Sequence, residues 1–405
     1  MTASRRWLAA ALVAAALARP AAAELSTGEP AALLVFPLIS VDASAGDDSL
    51  VQLTNADDVA VAVRCLYEDP SGNRTFTPFA IRLAGNQPVA WRASLGLAPV
   101  PNDGGTIPPI AGPFTGVLRC LTVDASNAPS DRNALVGSVT VEHFGAAASA
   151  AAIDSAQYNA FGFDALPGAV NTDEQLILGG PAAEYAACPE SLVLQSPFDA
   201  AVLTLGTGGL LQRTLSSTLA LVTCAQGAST PASAQVSFEI TNEFGNRSSA
   251  SGVLTEQLVV PLSRIDSANP ATSIFSAPIQ GSATGVIRIT SVGGSGVLAV
   301  AVQAYADPTD AATRHTLAVS PQLDGERSDP DVVDLAVPTP VPACVGDCDG
   351  NGTVAINELI TGVNIALGSQ PVTVCPAFDA DDSGSVAINE LITGVNNALA
   401  GCLMP

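Results

Sequence analysis

The chain reads as mainly β: two β-sandwich domains of immunoglobulin-like type, followed by a small α-helical module. Three observations give that class. Residues 24–337 are rich in Val, Ala, Thr, Gly and Pro and break into short alternating runs without long helical periods. Fragments of the first half recur in the second. Near the C-terminus two eleven-residue segments, Val354 to Asn364 and Val386 to Asn396, are identical and carry apolar residues at helical spacing.

The first 23 residues combine a basic start (Arg5, Arg6), an apolar run from Trp7 to Ala18 and an Ala21-Ala22-Ala23 exit, which is the form of a secretory signal cleaved before Glu24. The run is 12 residues long, short of the roughly 20 that span a bilayer. The mature chain is therefore expected to have no integral membrane segment and to be secreted, extracellular or held at the cell surface.

A first sandwich, 24–150, is expected to hold strands at 33–39, 50–54, 59–67, 79–83, 116–123 and 135–143. A second, 151–327, holds them at 191–194, 218–223, 235–241, 256–262, 285–290 and 297–305. Pro109-Ile-Ala-Gly-Pro-Phe-Thr-Gly-Val-Leu-Arg119 recurs as Pro278-Ile-Gln-Gly-Ser-Ala-Thr-Gly-Val-Ile-Arg288, with seven of eleven positions identical, and Leu53-Thr-Asn55 recurs as Ile240-Thr-Asn242. Duplication of one sandwich explains both; chance likeness among turn-and-strand segments is the competing explanation. The Ala-rich stretch Ala146 to Ala152 marks the join, and residues 328–343, in which Ser328 to Pro342 ends Val-Pro-Thr-Pro-Val-Pro, form a stiff linker.

Residues 344–405 write one loop twice, as Asp347-Cys-Asp-Gly-Asn-Gly-Thr-Val-Ala-Ile-Asn-Glu358 and Asp379-Ala-Asp-Asp-Ser-Gly-Ser-Val-Ala-Ile-Asn-Glu390. Ca²⁺ takes hard oxygen ligands from a twelve-residue loop, with side chains at positions 1, 3 and 5, a backbone carbonyl at 7, glycine at 6 and a bidentate carboxylate at 12. The expected ligands are Asp347, Asp349, Asn351, the Thr353 carbonyl and Glu358 in the first loop. In the second they are Asp379, Asp381, Ser383, the Ser385 carbonyl and Glu390, with Gly352 and Gly384 making the turns. Two Ca²⁺ sites follow. An acidic surface turn is the bland alternative for one loop, but two matches each leading into a helical pattern favour calcium. Leu359, Ile360, Val363 and Leu367, with Leu391, Ile392, Val395 and Leu399, would form the interface between the exiting helices. Prolines before each loop leave no room for an entering helix of normal length.

A duplicated calcium loop followed by a single helix resembles the dockerin module, an EF-hand-like fold that docks onto cohesin domains of scaffold or cell-surface proteins. The resemblance covers Cys344 to the end and implies a cohesin-like or other surface-protein partner. It implies a docking face at Asn357, Thr361 and Asn364 or Asn389, Thr393 and Asn396. Glu at position 12, where Asp is usual, and the absence of a basic residue on that face are departures from the dockerin pattern.

The eight cysteines, Cys65, Cys120, Cys188, Cys224, Cys344, Cys348, Cys375 and Cys402, are an even set in a secreted chain and read as disulfides. Cys65 with Cys120 and Cys188 with Cys224 would each staple an upstream domain, while the tail cysteines allow three pairings. Zinc lacks a C-x-x-C pair. There is no lysine, and beyond the signal 12 arginines face 38 acids, which excludes nucleic acid as a natural partner. No catalytic motif is present. His143 and His315 read as structural, and the acidic pairs Asp47-Asp48, Asp57-Asp58 and Glu68-Asp69 as solvated loop acids. The expected function is a non-catalytic surface or matrix protein with a calcium tail for docking or stabilisation; the runner-up is an exported polysaccharide-active hydrolase with a dockerin-like tail.

Overall fold

The computed structural model describes residues 25–70, 75–102, 104–124, 127–144, 154–167, 173–205, 211–227, 230–307, 310–335, 345–348, 354–379 and 384–400. The expected signal and the expected join at Ala146 to Ala152 lie outside these residues. The chain forms two compact units, 1–335 and 336–405.

The first unit is mainly β, with four main antiparallel sheets. Sheet I runs Leu25–Ser26, Phe161–Phe163, Leu33–Val41, Phe114–Val123, Val61–Asp69, Thr75–Leu83 in spatial order, and sheet II runs Pro88–Arg92, Asp47–Asn55, Leu135–His143, Asp154–Asn159. In the second half, sheet III is built on Leu211–Thr223, flanked by Val297–Asp307 and Asp310–Val319 on one side and by Ala201–Leu205 and Gln257–Pro261 on the other. Sheet IV runs Arg247–Thr255, Ser233–Asn242, Thr284–Gly294, Pro189–Pro197, Gln322–Glu326. Ten of the twelve expected strands fall within these elements; 59–67 begins two residues before Val61–Asp69, and 256–262 overruns Gln257–Pro261 by one residue at each end.

The pairing repeats between the halves. Leu33–Val41 beside Phe114–Val123 beside Val61–Asp69 in sheet I is matched by Pro189–Pro197 beside Thr284–Gly294 beside Ser233–Asn242 in sheet IV, and sheets II and III correspond likewise. The long sequence repeat occupies equivalent strands. Gly116 stands where a Cβ would meet the Glu68 carbonyl at 2.1 Å, and its counterpart Gly285 where one would meet the Thr241 carbonyl at 3.0 Å. The shorter repeat does not correspond, because Asn55 ends a sheet II strand while Asn242 ends a sheet IV strand.

The immunoglobulin-like expectation needs correction. In that fold the last two strands form a hairpin within one sheet; here the consecutive strands Phe114–Val123 and Leu135–His143 lie in different sheets, and the opening strand Leu33–Val41 takes the neighbouring place. In sheet size the arrangement is propeller-like, but the chain crosses between sheets at most of its loops. Strands Asp154–Asn159 and Phe161–Phe163 lie beyond position 150, yet pair with Leu135–His143 and Leu33–Val41 of the first half. Asp331–Asp334, inside the expected linker, is a strand pairing with Gln175–Leu178.

Three apolar cores hold the unit together. Phe36, Val51, Val63, Phe79 and Trp91 lie between sheets I and II, and Leu192, Phe238, Ile287, Leu219 and Ala299 between sheets III and IV. In the third, Leu33, Val35 and Leu121, from the other side of sheet I, pack with Val222 and Leu298 of sheet III and with Phe161, Tyr185 and Val333. The central strands of sheet I, Leu33–Val41, Phe114–Val123 and Val61–Asp69, are thus buried on both faces, as their near-continuous apolar sequences require, while Thr75–Leu83 at the edge keeps one face exposed. The Arg119–Glu68 ion pair is fully buried against the third core, and Arg119 also donates to the Thr223 carbonyl at 3.1 Å, linking the halves. Its repeat counterpart, Arg288, pairs with Asp324 on the exposed face of sheet IV.

Candidate metal centre

The second unit is built from its two repeated helices, Ile356–Ala366 and Ile388–Ala400. Each starts where a glutamate in the first turn reaches back to an uncapped backbone donor: Glu358 accepts from Ala355 N–H at 2.8 Å and Glu390 from Ala387 N–H at 2.7 Å. The first helix stops at Gly368, whose φ of +71° suits glycine and whose N–H returns to the Ile365 carbonyl.

Phe378, fully buried, is the hub between the repeats. A Cβ on Gly362 of the first helix would stand 2.5 Å from its ring, and one on Gly394 of the second helix 2.6 Å. Gly346 and Phe378 hold the equivalent place just before the two loops. A Cβ at Gly346 would lie 3.2 Å from the Phe378 ring. One large and one absent side chain therefore fill a space that two phenylalanines would overfill. Ile365, Val386 and the Cys348–Cys375 disulfide complete this core.

Of the expected ligands, Asp347, Glu358, Asp379, Ser385 and Glu390 are described, and Asp349, Asn351, Thr353, Asp381 and Ser383 lie outside the described residues, as does Gly352. Glu358 and Glu390 are 4% and 3% exposed. The second oxygen of Glu358 accepts from Cys348 N–H at 2.8 Å, so position 12 is tied back to position 2. In the second loop Gly384, at φ +79°, donates its N–H to Asp379 Oδ2 at 2.8 Å, closing position 6 onto position 1. The donor set is all oxygen. Residues 336–405 carry seven acids, Asp347, Asp349, Glu358, Asp379, Asp381, Asp382 and Glu390, and no Arg, Lys or His. Burying a carboxylate is costly without a cation, so these residues fit a hard divalent ion.

The helix interface differs from the expected stripe. Leu359 and Leu391 pack inward, whereas Ile360, Val363 and Leu367 are 57%, 44% and 74% exposed and Ile392, Val395 and Leu399 56%, 42% and 83%. The two glycines let the helices close on Phe378, which turns the rest of each stripe outward. Ile356 and Ile388 extend the exposed rows. Among the expected face residues, Thr361 and Thr393 bond back to the Asn357 and Asn389 carbonyls. The identity of the two helices says that equivalent positions on both are placed alike, but not which of them face outward.

Of the acidic pairs expected to be solvated in loops, Asp47-Asp48 and Glu68-Asp69 instead lie in strands, with Asp48 and Glu68 buried, and four of the acids have structural partners. Glu68 pairs with Arg119, Asp57 with Arg132 at 2.9 Å, Asp47 with His143 at 2.7 Å, and Asp48 accepts from Ser94 Oγ at 2.6 Å. Trp91 is buried and donates to Tyr67 Oη at 2.7 Å. Cys65–Cys120 and Cys188–Cys224 are disulfides, and no free cysteine occurs among the described residues. Cys188 and Cys224 converge with Asp331, but their sulfurs are bonded to each other and do not form a metal site. Among the described residues no helix is long and apolar enough to cross a membrane.

No protein-family model matches the chain, and no curated protein does. Among solved structures, Thermotoga maritima 1070 aligns at 10% identity over 33% of this chain and 93% of its own, with a TM-score of 0.20. The PBSX exported protein XepA aligns at 11% identity over 71% and 87%, with a TM-score of 0.17, and a β-glucuronidase of glycoside hydrolase family 2 at 9% over 75% and 26%, with 0.13. Likeness at these scores carries no argument about fold or activity, and the reading rests on the residues.

Proposed function

We propose that the chain is a secreted, non-catalytic surface or matrix protein whose C-terminal unit binds two Ca²⁺ ions and serves in docking or stabilisation. The observation that carries this reading is the pair of buried glutamates at position 12 of two acidic loops, in a segment with no basic side chain. The outward apolar rows on the two repeated helices supply a surface for a dockerin-type partner such as a cohesin-like domain. Each half of the first unit is read as a two-layer sandwich because sheets I and II, and sheets III and IV, share a core. The hydrolase alternative is weakened by acids engaged in structural bonds and by a tryptophan held in the core.

Calorimetry of the mature chain should give two calcium sites with a gain of helix on binding. Absence of calcium binding by the oxidised protein ends the reading. Deleting residues 344–405 should release the protein from its surface, and chelation should do the same; a truncated chain that stays attached sinks the docking role.

A further inference from the structure

In a paired helix-loop-helix site, the helix entering each loop fixes the direction of the first ligands. Before the first loop the sequence runs Pro340-Val-Pro-Ala-Cys-Val-Gly346, and Val345 and Gly346 form a turn. Two bonds occupy the place of that helix. Gly346 N–H donates to the Ala377 carbonyl at 3.2 Å, and Cys348, at loop position 2, is joined to Cys375 with their Cα atoms 4.9 Å apart. Cys375 is fully buried in the core with Phe378 and Val386, so the cross-link hangs the first loop from the segment that leads into the second. Cys348 also donates its N–H to Glu358 Oε1 at 2.8 Å, joining the cross-linked residue to the carboxylate at position 12. The equivalent residue of the second loop is Ala380, which cannot be cross-linked.

We infer that the Cys348–Cys375 disulfide is a positioning element for the first calcium site, so that the affinity of this site, and not of the second, depends on the redox state of the pair. The inference rests on the calcium reading above. With the bond closed, Asp347 and Glu358 hold their spacing before the ion arrives. With it open, binding must order the loop, and that ordering is taken out of the affinity. The two sites, equal in their repeated sequence from Val354 and Val386 onward, are thereby made unequal.

The test is a calorimetric calcium titration of the mature full-length chain with and without Cys348→Ser plus Cys375→Ser, the other disulfides intact. Glu390→Gln in both chains isolates the first site, and Glu358→Gln the second. The expected result is a first-site Kd weakened by about tenfold or more, with the second-site Kd unchanged within about threefold. Far-UV circular dichroism at saturating calcium establishes that the helices form; if they do not, Cys348→Ala with Cys375→Val, which keeps the buried position apolar, replaces the serine pair. Equal first-site affinities with and without the bond, or equal weakening at both sites, would overturn the inference. No binding by the unmodified chain would instead overturn the calcium reading itself.

Discussion

Single residues of one chemical kind behave differently here according to what surrounds them. Glu358→Gln and Glu390→Gln should each lower the calcium stoichiometry from two to one, since each removes the one carboxylate able to bind through both oxygens; a variant that still titrates two ions contradicts the ligand assignment. Gly362→Ala and Gly394→Ala should destabilise the second unit by about 1–3 kcal/mol, because the added carbon meets the Phe378 ring inside contact distance. Thermal melting followed at saturating calcium checks this. Burial pushes the Asp331 carboxyl above its ordinary range, against the Gly296 N–H and the Arg327 guanidinium that pull it down. Such a group holds its proton longer in the folded chain than in the unfolded one. Its contribution to stability is full below a pH of about 4 and is lost as pH rises through the raised folded value. Asp331→Asn should therefore flatten the fall in melting temperature over that window, and an unchanged pH profile would refute the assignment.

At the scale of elements, the sequence was most legible where its period was strong. Strands such as 33–39 and 116–123 declare themselves by their apolar content. Arg247–Thr255, reading Arg-Ser-Ser-Ala-Ser-Gly-Val-Leu-Thr, escaped because it is an edge strand of sheet IV with one pairing neighbour and few apolar side chains to show. Asp331–Asp334 was hidden by its four-residue length and by the prolines that follow. In the tail, helical spacing located both helices but could not say which half of each apolar row turns inward. That choice was made by Phe378, a residue outside either helix, acting through Gly362 and Gly394. The proposed ligand pattern was written in the sequence because calcium loops are specified by local spacing; of it the structure describes Asp347, Glu358, Asp379, Ser385 and Glu390. The pairing of Cys348 with Cys375 was not, because it depends on how the two repeats pack.

For the whole molecule, duplication gives equivalent positions unequal consequences. Arg119 and Arg288 are counterparts in the repeat, yet one is sealed between sheets and the other lies on an outer face. Arg119→Met should cost about 3–5 kcal/mol, because it removes one member of a buried ion pair and a link to Thr223; Arg288→Met should cost less than about 1 kcal/mol. Chemical denaturation of the two variants compares them directly, and similar losses would show that the layers do not bury position 119 as described. The mainly β class could be read from the sequence, but not that residues 1–335 form one unit, because no local pattern says which second layer will cover a strand that is apolar on both sides.

The burial of sheet I's central strands on both faces has a practical corollary. Cys65–Cys120 lies wholly in the first half and Cys188–Cys224 wholly in the second, so no covalent bond other than the backbone near 166–173 need hold the halves together. A chain nicked there should behave as a split protein: fragments 24–170 and 171–405 should co-purify when expressed together, while the first fragment alone, with Leu33, Val35 and Leu121 stripped of their cover, should precipitate.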